Sequence, residues 1–453
     1  MTPPWTAVRL WAQTMFASME GWSLFVIIVL AFTGDYLVLE FGLPTVLRRI
    51  PEVIIGFLLI HRLADSRLPW RLPAAFSMLG VTVLVAAVAA LLADQEMLRT
   101  ATGARNLLRY PLLALVVANL RLTSQMRTAV WNLLFVLLAI QVPWAVYQWG
   151  VLGREDDGVF GTLRSTGSLG VLMLVAVLAV CAQTVYMHRR LTWLLVLPLA
   201  ALPPMLGDGK AFFLLIPLAL VTALLGTVRR RPLIAVAVAA IGLVSMGYMA
   251  TQFQRVQGQD DIIAFIAAKI ADPLTDSGLA GEVSQTSRID ELIDASLTAF
   301  TRAGFGEGLG SRTVFFREVE DEFTATRTLL TTSMSVRLQE LGAIGTALYL
   351  MALCTAGLSC WRLVRHARSP WDAFTAAVAA FVVVVTVPVH FYTNVDVPSV
   401  ALMLWLPIGM ALGVVPPAEP QAVASPLRGG TAPTRRLVLP TRAARTRVAE
   451  ETR

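Results

Sequence analysis

One long polar stretch, Phe253 to Ser333, separates two blocks of sequence built almost entirely from apolar runs and short charged turns. Hydrocarbon cannot hold such a stretch, because its charges and backbone polar groups would find no partners there. The chain therefore reads as membrane-spanning helices on either side of one folded extramembrane element. Composition points the same way. Of 453 residues, 56% are hydrophobic and 15% charged, with a mean hydropathy of +0.67. That is the balance of an all-α polytopic membrane protein and not of a soluble domain.

About twelve spans are expected from the apolar segments, at 20–34, 50–63, 74–93, 101–119, 127–150, 163–187, 190–206, 208–227, 233–252, 334–361, 371–391 and 395–414. The first is taken to stop at the polar turn Gly34-Asp35. Residues 1–252 then hold nine spans, 253–333 form the large loop, 334–414 hold three, and 415–453 form a basic tail expected to be disordered. Met1 to Glu20 lacks the basic start, apolar core and small-residue cleavage site of a signal peptide, so the first span is expected to be an uncleaved anchor.

Arginine placement sets an expected orientation. One set of turns carries Arg62, Arg67 and Arg71; Arg121 and Arg127; Arg189 and Arg190; Arg229, Arg230 and Arg231; and Arg362, Arg365 and Arg368. The alternate set carries Asp94 and Glu96, then Glu155, Asp156 and Asp157, then the large loop with seven basic and thirteen acidic residues. Both termini are thus expected in the cytosol and the loop in the periplasm or outside, as in a bacterial inner membrane protein. The same pattern accounts for the pI of about 9.8, so nucleic acid is not an expected partner. Membrane lipids are, because anionic headgroups attract an arginine-rich tail.

The three cysteines, Cys181, Cys354 and Cys360, fall in or beside spans and are expected to be small buried residues without a disulfide or metal role. No Asp/Glu/His cluster has metal-ligand spacing, and no cofactor is implied. Among four histidines, His61, His188 and His366 lie in arginine turns, whereas His390 ends the eleventh span, six residues before Asp396. His390 is a candidate proton-transfer group; the blander reading is an interfacial residue beside Tyr392 hydrogen-bonded to a loop.

Within the large loop, Asp260–Ile270 has the pattern of a short helix on the membrane surface. An amphipathic helix follows, with Ser287 as its cap, Arg288 and Glu291 on one face, and Ile289, Leu292, Ile293, Leu297 and Phe300 as an apolar stripe. It ends at Gly304-Phe-Gly-Glu-Gly-Leu-Gly310. Four alternate glycines exceed what a helix stop needs and provide a backbone able to approach a ligand or membrane closely. Arg164, at the entrance to the sixth span, and Lys210, at the entrance to the eighth, join Arg288 on the outward side. Arginines gathered there suit a pyrophosphate group, since guanidinium matches phosphate oxygens bidentately; the bland reading is headgroup snorkelling. Arg105 and Arg109, one turn apart within the fourth span, need a polar cavity or a partner.

Ser287-Arg288-Ile-Asp-Glu291, the turn from Gly304 to Ser311, and Leu338-Gln-Glu340-Leu-Gly342-Ala-Ile-Gly345 opening the next span together resemble the O-antigen ligase and polymerase family. Arg164-Ser-Thr-Gly167 resembles that family's Arg-x-x-Gly, and the large loop after the ninth span matches its architecture, which is GT-C-like. One departure stands out. Ligases carry a histidine about nine residues before the glutamate that Glu340 matches, and Thr331-Thr332 stand there; the departure weighs toward a polymerase-like member.

The resemblance implies metal-independent glycosyl transfer from a polyprenyl-pyrophosphate-linked glycan on the outer face of the membrane. It places Arg164, Arg288, Glu291 and His390 as catalytic candidates. Arg105, Arg109, Lys210, Gly306, Gly308, Gly310, Arg312, Arg337 and Glu340 become substrate-binding candidates. Glu291, Glu307, His390 and Asp396 all remain open as the base. Chain-length or export proteins are the implied partners. A flippase or other transporter, lined by Arg105 and Arg109, is the alternative of another class, although no internal repeat relates the two halves.

Overall fold

The computed structural model describes residues 4–65, 69–120, 122–154, 158–163, 165–187, 196–207, 210–228, 283–300, 304–311, 332–367, 369–392 and 395–414, with isolated positions at 194, 236 and 240. All regular elements among them are helical. In chain order these are α1 (Pro4–Phe16), α2 (Met19–Phe41), a 3-10 turn (Thr45–Arg49), α3 (Ile50–Ala64), α4 (Ala74–Leu92), α5 (Met97–Leu120), α6 (Ser124–Gly150) and α7 (Thr166–Tyr186). Then come α8 (Leu197–Leu206), α9 (Lys210–Val228), α10 (Val283–Phe300), α11 (Ser333–His366), α12 (Pro370–Tyr392) and α13 (Pro398–Leu412). Six helices, α2, α4, α6, α7, α11 and α12, are long and apolar enough to cross a membrane. Apart from positions 236 and 240, the expected segment at 233–252 lies outside the described residues, as do the surface helix at Asp260–Ile270 and the tail at 415–453.

At the centre stands α7, buried along nearly all of its length and packed by α8, α9 and α12. On the other flank α11 lies against α4 and α12, while α13 lies against α5. Close approach there depends on small residues: a β-carbon on Gly409 of α13 would press into the Ala114 backbone of α5. Away from the bundle, Ile344, Met351 and Leu358 recur every seven residues on the exposed side of α11. Cys354 is exposed in the same row, so it is not the buried residue expected, whereas Cys181 and Cys360 are buried. A thiol facing outward from an apolar helix costs little in hydrocarbon.

Three further local expectations are corrected. The first long helix does not stop at Gly34-Asp35 but continues to Phe41, because Asp35 pairs with Arg48 at 2.7 Å and need not reach water. The loop helix α10 starts at Val283, so Ser287 lies within it and not at its cap. No glycine or proline between Val283 and Ser287 interrupts the turn. The face of α10 that is buried is also different. Ala295 and Ala299 are fully covered on the side packed against α11, while Ile293, Leu297 and Phe300 are 53%, 67% and 75% exposed. Small residues let the two helices come close, and the larger apolar ones are left outside.

The bundle has two unlike ends. One holds the connections α3–α4, α5–α6 and α11–α12, rich in arginine; the other holds α2–α3, α4–α5, α6–α7, α12–α13 and the glycine turn 304–311.

Candidate functional site

The site grows from a break in α11. Gly342 takes φ 67° and ψ −175° inside that helix, a conformation that costs a residue with a β-carbon dearly. A break of this kind strips the preceding carbonyls of their helical donors. Three are satisfied from elsewhere: Thr346 Oγ1 donates to the Arg337 carbonyl at 2.9 Å, the Glu307 amide to Gln339 at 2.7 Å, and the Gly308 amide to Glu340 at 3.1 Å. The glycine turn thus docks into the break. Gly304, Gly306, Gly308 and Gly310 all have positive φ. A β-carbon on Gly306 would overlap the Gly342 backbone, one on Gly308 the Ala90 backbone at the end of α4, and one on Gly310 the Arg99 carbonyl of α5. Gln95 adds a hydrogen bond from Nε2 to the Leu309 carbonyl at 2.8 Å. Protein backbone fills the space that the sequence left open for a ligand or a membrane.

Beneath the turn lies Arg337, its side chain almost fully buried, paired with Asp396 and stacked 5.4 Å from the Tyr349 ring. Tyr349 in turn bonds His390 Nε2 at 3.0 Å, and His390 Nδ1 bonds the Thr386 carbonyl at 2.7 Å. A carbonyl can only accept, so Nδ1 carries the proton of the neutral ring and Nε2 accepts from the Tyr349 hydroxyl. His390 is fully buried with both nitrogens engaged. It therefore holds Tyr349 against Arg337 from within the bundle; it does not face a loop beside Tyr392, as its sequence position allowed. Thr332 caps α11 by accepting from the Ser335 amide at 3.1 Å. Next to it, Ser333 Oγ accepts from the Val395 amide at 2.8 Å and ties the cap to the Asp396 turn.

A second charged group adjoins the first. Arg109 reaches Glu52 Oε1 at 2.9 Å, Arg49 reaches the same oxygen at 3.5 Å, and Arg105 approaches Oε2 at 3.7 Å. Arg109 also lies 4.7 Å from the Tyr110 ring and within the field of Asp396, which links this group to Arg337. The Nε atoms of Arg105, Arg109 and Arg337 are buried and hydrogen-bonded to nothing among the described residues. Such orphaned donors in a native interior call for an explanation. Arg154, by contrast, is bound bidentately by Glu40 at 3.1 and 2.9 Å, and these hydrogen bonds raise its pKa.

Of the sequence candidates, Arg105, Arg109, Arg337, Glu340, His390, Gly306, Gly308 and Gly310 come together at the glycine-turn end. Arg288 and Glu291 stand in the first half of α10, and Lys210 opens α9. Arg164 and Arg312 lie outside the described residues. The loop before α7 is nevertheless pinned: Gln148 Oε1 accepts from Phe160 and Gly161 amides at 3.1 and 2.8 Å, and Gln141 Oε1 from Thr162 at 2.9 Å.

Sequence reasoning missed Arg49, Glu52 and Tyr349. A signal for the first two exists: Arg48-Arg49 are basic residues in a turn of the set otherwise marked by acidic ones. Nothing local marks Tyr349. Among the described residues no three His, Cys, Asp or Glu side chains gather as a metal site. No protein-family model matches the chain, and no curated protein matches its sequence.

Proposed function

We propose that this protein is a membrane glycosyltransferase that polymerises polyprenyl-pyrophosphate-linked glycan units at the outer face of a bacterial inner membrane. About twelve spans, cytosolic termini and an outward large loop belong to this reading. One observation carries it: Arg105, Arg109 and Arg337 gather at the glycine-turn end with buried guanidinium donors unspent. In glycosyl transfer the acceptor oxygen bonds to the anomeric carbon and gives its proton to a base as the bond to the pyrophosphate oxygen breaks. Stabilising the departing polyprenyl diphosphate, which gains one negative charge, is then the main electrostatic task, and fixed guanidiniums in a partly dry site do it without reorganisation. Arg164 and Arg288 are assigned to the same pyrophosphate on the family resemblance.

The test is the size and location of lipid-linked glycans in a strain lacking this gene. Single repeat units stranded outside are expected. Full-length chains held on the carrier would instead mean a ligase, and intermediates trapped in the cytosol a flippase. An unchanged profile overturns the polysaccharide reading altogether. Alanine at both Arg164 and Arg288 with normal chain growth would remove those two residues from the site.

A further inference from the structure

Three guanidiniums converge on one carboxylate at the head of α3. Arg109 is hydrogen-bonded to Glu52, whereas Arg49 and Arg105 stand off at 3.5 and 3.7 Å, beyond a good charge-assisted hydrogen bond. Gathering three like charges on one carboxylate costs repulsion. Arg105 finds a second acceptor in Asn106 Oδ1 at 2.9 Å, yet the Nε atoms of Arg105 and Arg109 are still left over among the described residues. Had the cluster evolved only to close the bundle, one arginine would serve Glu52 as Arg127 serves Asp372, at 2.6 Å.

We propose that Glu52 is the resident counter-ion of a diphosphate-binding site whose donors are Arg49, Arg105 and Arg109, and that phosphoryl oxygens of the ligand displace its carboxylate. A diphosphate brings more charge and more acceptor oxygens than the glutamate, and these meet the Nε groups that Glu52 leaves unbonded. Glu52 then sets the affinity: it keeps the arginines apart and neutralised in the empty site, and competes with the ligand for the same donors. The ligand is a diphosphate, free or carried on a lipid; that the lipid carries a glycan rests on the function proposed above.

The test uses the full chain in phosphatidylcholine nanodiscs, titrated with inorganic pyrophosphate by calorimetry. Glu52→Gln keeps the shape and removes the competing charge, and is expected to tighten binding about tenfold, the scale of one charge-assisted hydrogen bond. Arg109→Ala is expected to weaken it by about the same factor or more. Equal or weaker binding by Glu52→Gln overturns the proposal. If that variant does not fold, Glu52→Asp retracts the carboxylate while keeping its charge, and tighter binding than wild type is again required. A second arm dopes the discs with a polyprenyl pyrophosphate. The same ranking of variants there, without binding of free pyrophosphate, assigns the site to a lipid headgroup; no binding in either arm overturns it. Tightening by Glu52→Gln together with an unchanged glycan profile in the deletion strain would keep this site and remove the polymerase.

Discussion

Buried arginines close both ends of this bundle, but in opposite manners. At the arginine-loop end Arg62 gives Nε to the Asn119 carbonyl and a terminal N–H to Asp65, both at 3.0 Å, while Asn119 holds both backbone groups of Arg71. Arg127 there binds Asp372 and the Leu122 carbonyl at 2.6 and 2.8 Å, with Trp131 bonded to Thr375 close by. Carbonyls and one carboxylate absorb these donors, and among the described residues neither arginine has a buried side-chain nitrogen without a partner. At the glycine-turn end carboxylates are shared and guanidinium donors remain. The first pattern is how a protein seals helix ends; the second is the one on which the proposed diphosphate site rests.

The largest effect expected on either side is that of Asp372→Ala. It strands Arg127 in a buried position and should cost about 3–5 kcal/mol, seen as a drop in thermal unfolding temperature and in yield from the membrane. Gly310→Ala comes next, at about 2–4 kcal/mol for the left-handed backbone and the overlap with Arg99 together; a melting point within a degree of wild type would show that the turn does not need its docking.

Pair replacement sharpens the contrast further. Arg127→Met with Asp372→Leu should leave stability near wild type or above it and glycan chain length unchanged. Arg337→Met with Asp396→Leu should also fold but lose chain growth. Equal glycan phenotypes for the two double variants would erase the distinction between the ends. Arg109→Ala is expected to cost less than Asp372→Ala, about 1–3 kcal/mol, because Glu52 keeps Arg49 and Arg105 as partners. Its effect on chain growth should still be tenfold or more, on the scale of a lost charge-assisted hydrogen bond in the site.

What the sequence disclosed follows from which interactions are local. Apolar length announced the helices, and described helices lie at eleven of the twelve expected positions, including the short α8 and α13. The continuation of α2 past Asp35 was not legible, since it depends on Arg48 across a turn. Alternating glycines announced positive φ, but not that Gly342, Ala90 and Arg99 would occupy the space they vacate. The arginine pair on α5 was conspicuous in an apolar run; Glu52, a single carboxylate in another run, acquires meaning only when α3 and α5 pack together. Tyr349 looks like an ordinary aromatic residue of a span until His390 and Arg337 are seen on either side of it.

The break at Gly342 also limits how this protein can be rebuilt or can diverge. The loop residues 304–310 satisfy carbonyls of a helix that continues to His366, and fit against backbone from α4 and α5. Roof and wall are therefore one inherited part. A chimera that exchanges the large loop between two such proteins must carry with it the Gln339–Gly342 segment and Gly103 of α5, where a β-carbon would overlap the Gly310 backbone, and substitutions across those three stretches are expected to travel as a set.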